Sequence, residues 1–234
     1  MKNFLLDLLF PKSCLGCKSP DTWLCDGCFS LIRPNQTQRC YVCRKPELNG
    51  RTCSSHLRTG AWHVSTLDGL LIAAHYDGNP ILKRAITALK YNRNHQELAE
   101  KLGRLIKYRR SSATSLRDVH CEIIPVPLHP NRLKSRGFNH AELLAGHLGK
   151  DAKSCVSTIL IRTRDTLPQV QCSDRQTRLN NPKGAFALNG KIDPEKTYIL
   201  VDDLITTGAT LEECCKVLKE NGAKIVWGLV LARN

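Results

Sequence analysis

The sequence predicts an α/β protein, with a mostly parallel sheet flanked by helices and a small N-terminal Cys-rich module that binds zinc. Three observations carry this. From about Gly60, strand-like apolar runs alternate with amphipathic helical stretches, as they do in chains of βα units. Before that point lie seven of the twelve cysteines, all within the first 53 residues and mostly as C-x-x-C pairs. Finally, "YILVDD" (198–203) runs straight into "LITTGAT" and a helical stretch, giving a strand, a tight turn and a helix. The expected division is a zinc module over 1–60 and an α/β domain over 61–234.

Bulk properties bound the rest. A chain of 234 residues, 41% hydrophobic and 24% charged, supports one sizeable core and a small appendage. No apolar run approaches the ~20 residues of a membrane span. "FLLDLLF" (4–10) is short, interrupted by Asp7 and followed by no small-residue cleavage site, so it reads as a core or docking helix rather than a secretory signal. The expected location is the cytoplasm, with peripheral contact at the inner face of the membrane as the alternative. In a reducing compartment, paired C-x-x-C motifs signify metal rather than disulfides.

The cysteine spacing is Cys14-x-x-Cys17, Cys25-x-x-Cys28, Cys40-x-x-Cys43 and Cys53-x-x-His56. Eight soft ligands suffice for two closed tetrahedral Zn²⁺ sites, structural because no position is left open for substrate. Sequential pairing groups the first four ligands and the last four. Interleaved pairing, first pair with third and second with fourth, is the alternative. No internal repeat is expected.

The elements follow in order. "LDGLLIAAHYD" (67–77) is a strand. Asn79-Pro80 supplies an N-cap and a proline at the first helical position for a helix through about Lys90. Asn94 with Glu97 forms a capping box for a helix whose apolar face is Leu98, Leu102, Leu105 and Ile106. "EIIPVPL" (122–128) is a short strand. Asn139 and Glu142 open a helix that Gly149 stops. "VSTILIR" (156–162) is one strand, and 163–185 is a long polar loop of the functional kind. Strand 198–203, helix 209–221 with Leu211, Cys214, Cys215 and Leu218 on its buried face, and strand "KIVWGLVLA" (224–232) complete the domain.

Two carboxylates beside a Thr/Gly turn need a chemical reason. Backbone N–H groups at a helix start attract an anion, Thr206, Thr207 and Thr210 add hydroxyls, and Gly208 permits close approach. The lysine of a Walker A loop is absent, as is G-x-G-x-x-G. Asp202 and Asp203 suit vicinal hydroxyls next to a phosphate, which describes a ribose 5-phosphate. Mg²⁺ would bridge those hydroxyls to a diphosphate.

"ILVDDLITTGATL" resembles the phosphoribosyl diphosphate (PRPP) motif of type I phosphoribosyltransferases. "PVPLHPNRLKSRGFNHAELLA" (125–145) is similar to the diphosphate-loop segment of the competence protein F (ComF) and GntX-like family, with His140 where the family usually has glutamine. "RTRDTLPQ" and "RLNNPKGAF" resemble that family's flexible loop, and "LKYNRNHQELAEKLGRLI" its first basic helical region. The resemblance implies a type I phosphoribosyltransferase-like fold and a bacterial role in natural competence, the uptake and handling of transforming single-stranded DNA. It implies Asp202 and Asp203 as the catalytic pair holding ribose hydroxyls and metal, and Thr206, Thr207, Gly208, Ala209 and Thr210 as the 5-phosphate site. Arg136, Gly137 and Asn139 match the R-G-F-N stretch, while Arg162, Gln169, Arg178, Asn181 and Phe186 match the flexible loop. Arg132 and Lys134 would join Arg136 at the diphosphate, and Arg164 and Arg175 would descend with the loop.

The charge points the same way. The chain has 35 Lys plus Arg against 21 Asp plus Glu, a net +14, and half of that excess lies in residues 83–110. An anionic partner is expected. Two functional readings stand side by side. One is an enzyme moving a phosphoribosyl group from PRPP to an acceptor, in DNA uptake or in nucleotide salvage. The other is a non-catalytic, PRPP-responsive adaptor that meets single-stranded DNA, a DNA-translocating competence helicase or a DNA-processing protein. No acceptor-specific group is legible.

Overall fold

The computed structural model describes residues 11–57, 65–91, 95–149, 154–167 and 174–234. "FLLDLLF", the boundary near residue 60, Asn94 of the expected capping box and Gln169 of the flexible loop lie outside the described residues.

Strands β1 (Gly69–Ile72), β2 (Cys121–Pro125), β3 (Ser154–Val156), β6 (Thr197–Ile205) and β7 (Ile225–Arg233) form one five-stranded sheet in the order β1-β7-β6-β2-β3. Every pairing in it is parallel. The central strands are apolar on both faces, as a sheet covered on both sides requires. Alternate residues serve opposite layers. Leu71, Ile123, Ile199, Val201, Trp227 and Leu229 face one core, while Leu70, Ile124, Tyr198, Leu200, Val226 and Val230 face the other.

The first core is roofed by α2 (Pro80–Tyr91), α3 (His95–Ser112) and α5 (His140–Leu148), which bury Leu82, Leu89, Leu98, Leu102, Ile106 and Leu144. Asn79 caps α2 by accepting from the Leu82 N–H at 3.0 Å, and Gly149 ends α5. The second core is roofed by α7 (Ala209–Glu220), through Leu211, Cys214, Cys215 and Leu218. Both cysteines are core residues, as their helical spacing predicts.

Four expectations need correction. The strand at 67–77 shortens to Gly69–Ile72. The single strand at 156–162 is two: β3 ends in the main sheet, and β4 (Leu160–Arg162) leaves it to pair antiparallel with β5 (Phe186–Leu188). The polar segment 163–185 contains α6 (Arg175–Asn180), capped by Asp174, whose carboxylate accepts from the Thr177 N–H. A six-residue helix is too short to show a period. An unforeseen helix, α4 (Pro130–Arg136), follows β2; His129 caps it and Gly137, at φ 83°, closes it.

The Cys-rich segment contains α1 (Asp26–Ser30) and two matching turns. Cys14 N–H donates to Ser19 O and Lys18 N–H to Cys14 O; Cys40 N–H donates to Lys45 O and Arg44 N–H to Cys40 O. Antiparallel bridges Ser13–Pro20 and Arg39–Pro46 close both. The segment therefore holds a structural repeat, C-x-x-C-[KR]-x-P, that was not expected from the sequence. The turns serve opposite layers: Cys14, Leu24, Cys28 and Ile32 join the first core, and Tyr41 joins the second.

Candidate functional site

β6 ends at Ile205, and the chain reaches α7 through a turn whose pivot is Gly208, at φ 86°. That left-handed backbone is accessible to glycine at little steric cost. Thr207 Oγ1 accepts from the Ala209 N–H at 3.4 Å. A helix start also presents backbone N–H groups outward from its first turn. Thr206, Gly208 and Thr210 line a cleft of about 190 Å³ together with Asp202 and Asp203. The carboxylates and the phosphate-type turn thus share one cavity. Lys90, Arg132, Arg136 and Arg162 line it too.

The two aspartates are not equivalent. Asp203 is enclosed: its side chain is 4% exposed, Lys90 Nζ lies 2.8 Å from Oδ2, and His140 Nε2 lies 3.3 Å from Oδ1. Burial works against its charge, but Lys90 and His140 outweigh this and hold it well below the usual carboxylate range. Asp202 is 18% exposed, with His140 at 3.7 Å. Burial, with the charge of Asp203 adding to it, raises its pKa. Its Oδ1 also accepts from the Asp203 N–H at 2.8 Å. Asp202 therefore has the more accessible carboxylate.

His140 is wedged between these groups. Burial disfavours its charge, and the Asp203 and Asp202 carboxylates more than offset this, pushing its pKa up to about 9. Its Nε2 faces both carboxylates, 3.3 Å from Asp203 Oδ1 and 3.7 Å from Asp202 Oδ1, while Nδ1 lies 2.9 Å from Arg136 Nη1. Arg136 also stacks over Tyr91, 5.3 Å from the ring centroid.

Other expected residues also make scaffold contacts. Asn139 is 3% exposed and caps α5, accepting from the Ala141 N–H while donating to Val126 O. Gly137 ends α4. Arg162 bonds Thr166 Oγ1 and stacks on Phe186, 5.2 Å from the centroid. Arg132 bonds Thr166 O, and Asn131 Nδ2 donates to Asp165 Oδ2, so the start of the expected flexible loop is tied to α4. Asn181 reaches the cleft and donates to Leu167 O at 2.7 Å. Arg164 donates to backbone carbonyls of Asn181 and Lys183. Thr207, Ala209, Lys134, Arg175 and Arg178 are not among the residues forming the cleft wall.

Sequence reasoning missed Lys90. It was counted in the basic 83–110 surface, but its ammonium turns into the site. That surface is also less continuous than its charge suggests. Arg109 and Arg110 are 7% and 4% exposed, Lys101 pairs with Asp26, and Arg104 pairs with Glu100.

The cysteines fall into two clusters, Cys14–Cys17–Cys25–Cys28 and Cys40–Cys43–Cys53–His56, with the ligand atoms of each within 4.8 Å of one another. The grouping is sequential, not interleaved. Sulfur separations are 3.6 Å for Cys14–Cys25 and Cys17–Cys25, and 3.8 Å for Cys43–Cys53. A tetrahedral ion with Zn–S bonds of ~2.3 Å would set sulfurs about 3.8 Å apart, so the donor sets fit Zn²⁺. Amide-to-sulfur bonds from Gly16 and Cys25 to Cys14, and from Cys28 to Cys25, orient the first set.

Residues 5–57 match the double zinc ribbon domain family. Over 97% of its length the chain is 32% identical to the DNA utilization protein YhgH of Escherichia coli O157:H7, covering 99% of that protein. It is 28% identical to the competence protein ComFC of Bacillus subtilis, over 87% of this chain and 80% of that one. Among solved structures, a hypoxanthine phosphoribosyltransferase from Staphylococcus aureus aligns with 58% of this chain and 65% of its own, at TM-score 0.37 and 11% identity. Among the described residues no helix is long and apolar enough to cross a membrane. With near-complete alignment to YhgH and a double zinc ribbon ahead of a parallel α/β sheet, this chain belongs to the ComF family.

Proposed function

We propose that the cleft at the end of β6 binds PRPP with Mg²⁺, and that the protein acts in bacterial DNA uptake and utilisation. The observation that supports this most is the placing of Asp202 beside the Gly208 turn in a cavity walled by Lys90, Arg132, Arg136 and Arg162. A sugar phosphate carrying a diphosphate requires all three chemistries at once: acceptors for hydroxyls, backbone donors for the terminal phosphate and cations for the diphosphate. Asp202 accepts from the ribose hydroxyls, and Asp203 fixes Lys90 and His140 behind it. Asp202 would help hold Mg²⁺, whose preference for hard oxygens fits this carboxylate and the ligand, and which would supply charge neutralisation of the diphosphate. The enzyme reading has transfer from C1 supported by positioning and by fixed positive charge.

The names of the relatives support the DNA role. Single-stranded DNA is its substrate-side partner in this reading, with a translocating helicase or DNA-processing protein beside it, in the cytoplasm. Calorimetry with PRPP and Mg²⁺ tests the site. Asp202→Ala should weaken binding about a hundredfold, and the pair Asp202→Ala with Asp203→Ala should abolish it. Unchanged affinity in the double variant would refute the assignment. Diphosphate release, followed with and without single-stranded DNA, separates enzyme from adaptor.

A further inference from the structure

The two zinc-ribbon turns are built alike, yet they wedge different side chains into different faces of the sheet. The residue after the first cysteine is Leu15 in one and Tyr41 in the other. Leu15 packs on the core of α2 and α3, whereas Tyr41 packs with Ile205 and Leu211 beneath the phosphate-type turn.

Tyr41 is 8% exposed, and a Cβ placed on Gly208 would lie 3.1 Å from its Cε2. The ring is thus the floor of the turn. It is held from behind, because Arg233 Nη1 donates to Tyr41 O at 3.0 Å and Arg233 pairs in register with Ile205. A second arm reaches the same helix from the far end of the cluster. His56 O accepts from the Ser65 N–H at 2.9 Å. Ser65 Oγ and the Thr66 N–H then each donate to the Glu212 carboxylate, at 2.8 Å, one turn into α7. The segment Cys40–His56 thus touches the Gly208 turn directly through Tyr41 and is linked to the first turn of α7 through Ser65 and Thr66.

We propose that Tyr41 is a positioning residue for the phosphate turn, and that the Cys40–Cys43–Cys53–His56 cluster is the rigid mount that holds it. This rests on reading the turn as the 5-phosphate cradle. The two ribbons then have different jobs: the first braces the helical layer over α2 and α3, and the second shapes the ligand site. Donors at a helix start bind phosphate well only when held at fixed geometry, and a floor anchored to a metal knuckle supplies that rigidity.

The test compares the full chain with Tyr41→Ala, Tyr41→Phe and Leu24→Ala, the last opening a hole under the other face. Amide hydrogen exchange over residues 205–212 and PRPP–Mg²⁺ affinity are both measured. Tyr41→Ala should quicken exchange at 205–212 selectively and weaken PRPP about tenfold or more, with zinc content unchanged. Tyr41→Phe keeps the ring and should restore both. Leu24→Ala should lower the melting temperature without selective quickening at 205–212. Wild-type exchange at 205–212 in Tyr41→Ala, or an equal rise across the whole sheet, overturns the mount. Absence of PRPP binding by the wild-type chain overturns the ligand reading instead, while the exchange data still judge Tyr41. Should Tyr41→Ala fail to fold, Tyr41→Leu, which keeps apolar volume without the ring, is expected to show the same selective quickening.

Discussion

Lys90 Nζ lies 2.8 Å from Asp203 Oδ2, pinning the last turn of α2 to the end of β6. Asp203 has a near-inaccessible side chain, so the ion pair fixes the backbone from which Asp202 faces the cleft. Removing one partner of such a pair strands a buried charge. Lys90→Met should destabilise the fold by about 3 kcal/mol. Adding Asp203→Asn should cost less than the sum of the two single changes, a coupling of about 1 kcal/mol or more. Urea unfolding of the four proteins measures this, and strict additivity would show that the contact is idle.

Glu212 is the source of a pH effect with a definite sign. Burial pushes its carboxyl up to about 7, against the stabilising bond from Thr66 and the charge of Lys219. A folded pKa above the unfolded value of ~4.3 means that the folded state holds a proton the unfolded chain releases. Its contribution is full below pH ~4.3 and is lost as pH rises through about 7, up to about 3 kcal/mol in all. Glu212→Gln removes the titration. The stability difference between wild type and variant, followed by urea midpoints from pH 4 to 8, should fall with rising pH across that window. A flat difference contradicts the assignment.

Two zinc ions per chain are expected by elemental analysis. Replacing the buried ligand Cys14 by serine should leave about one. The first cluster contributes Cys14 and Cys28 to one core and the second is flanked by Tyr41 in the other, so loss of metal should lower the melting temperature of the whole protein rather than unfold a detached module. A zinc-free preparation with an unaltered melting curve would contradict this.

Local chemistry was legible in the sequence wherever it repeats at short range. Asn79-Pro80 announces α2, the Leu98–Leu102–Leu105 spacing announces α3, and the spacing of Cys214 and Cys215 places both inside. The C-x-x-C pairs announce metal. Short elements were not legible, because α4 and α6 span less than two full turns and their caps, His129 and Asp174, look like any polar loop residue. The split of 156–162 was hidden as well: β3 and β4 are both β-type runs, and only their partners distinguish them.

By itself, the sequence determined the longer helices α2, α3, α5 and α7, the eight candidate zinc ligands and the Asp-Asp-turn-helix unit, all of which are encoded by neighbours a few residues apart. Tertiary structure alone decided that Asp203 is enclosed while Asp202 is open, and that Lys90 leaves the basic surface for the site. It also paired the cysteine clusters sequentially and set Tyr41 under Gly208, 167 positions away. The physical reason is the same in each case. Charge compensation and packing act through space, so a buried carboxylate takes whichever cation the fold delivers, and no local pattern records which one that is.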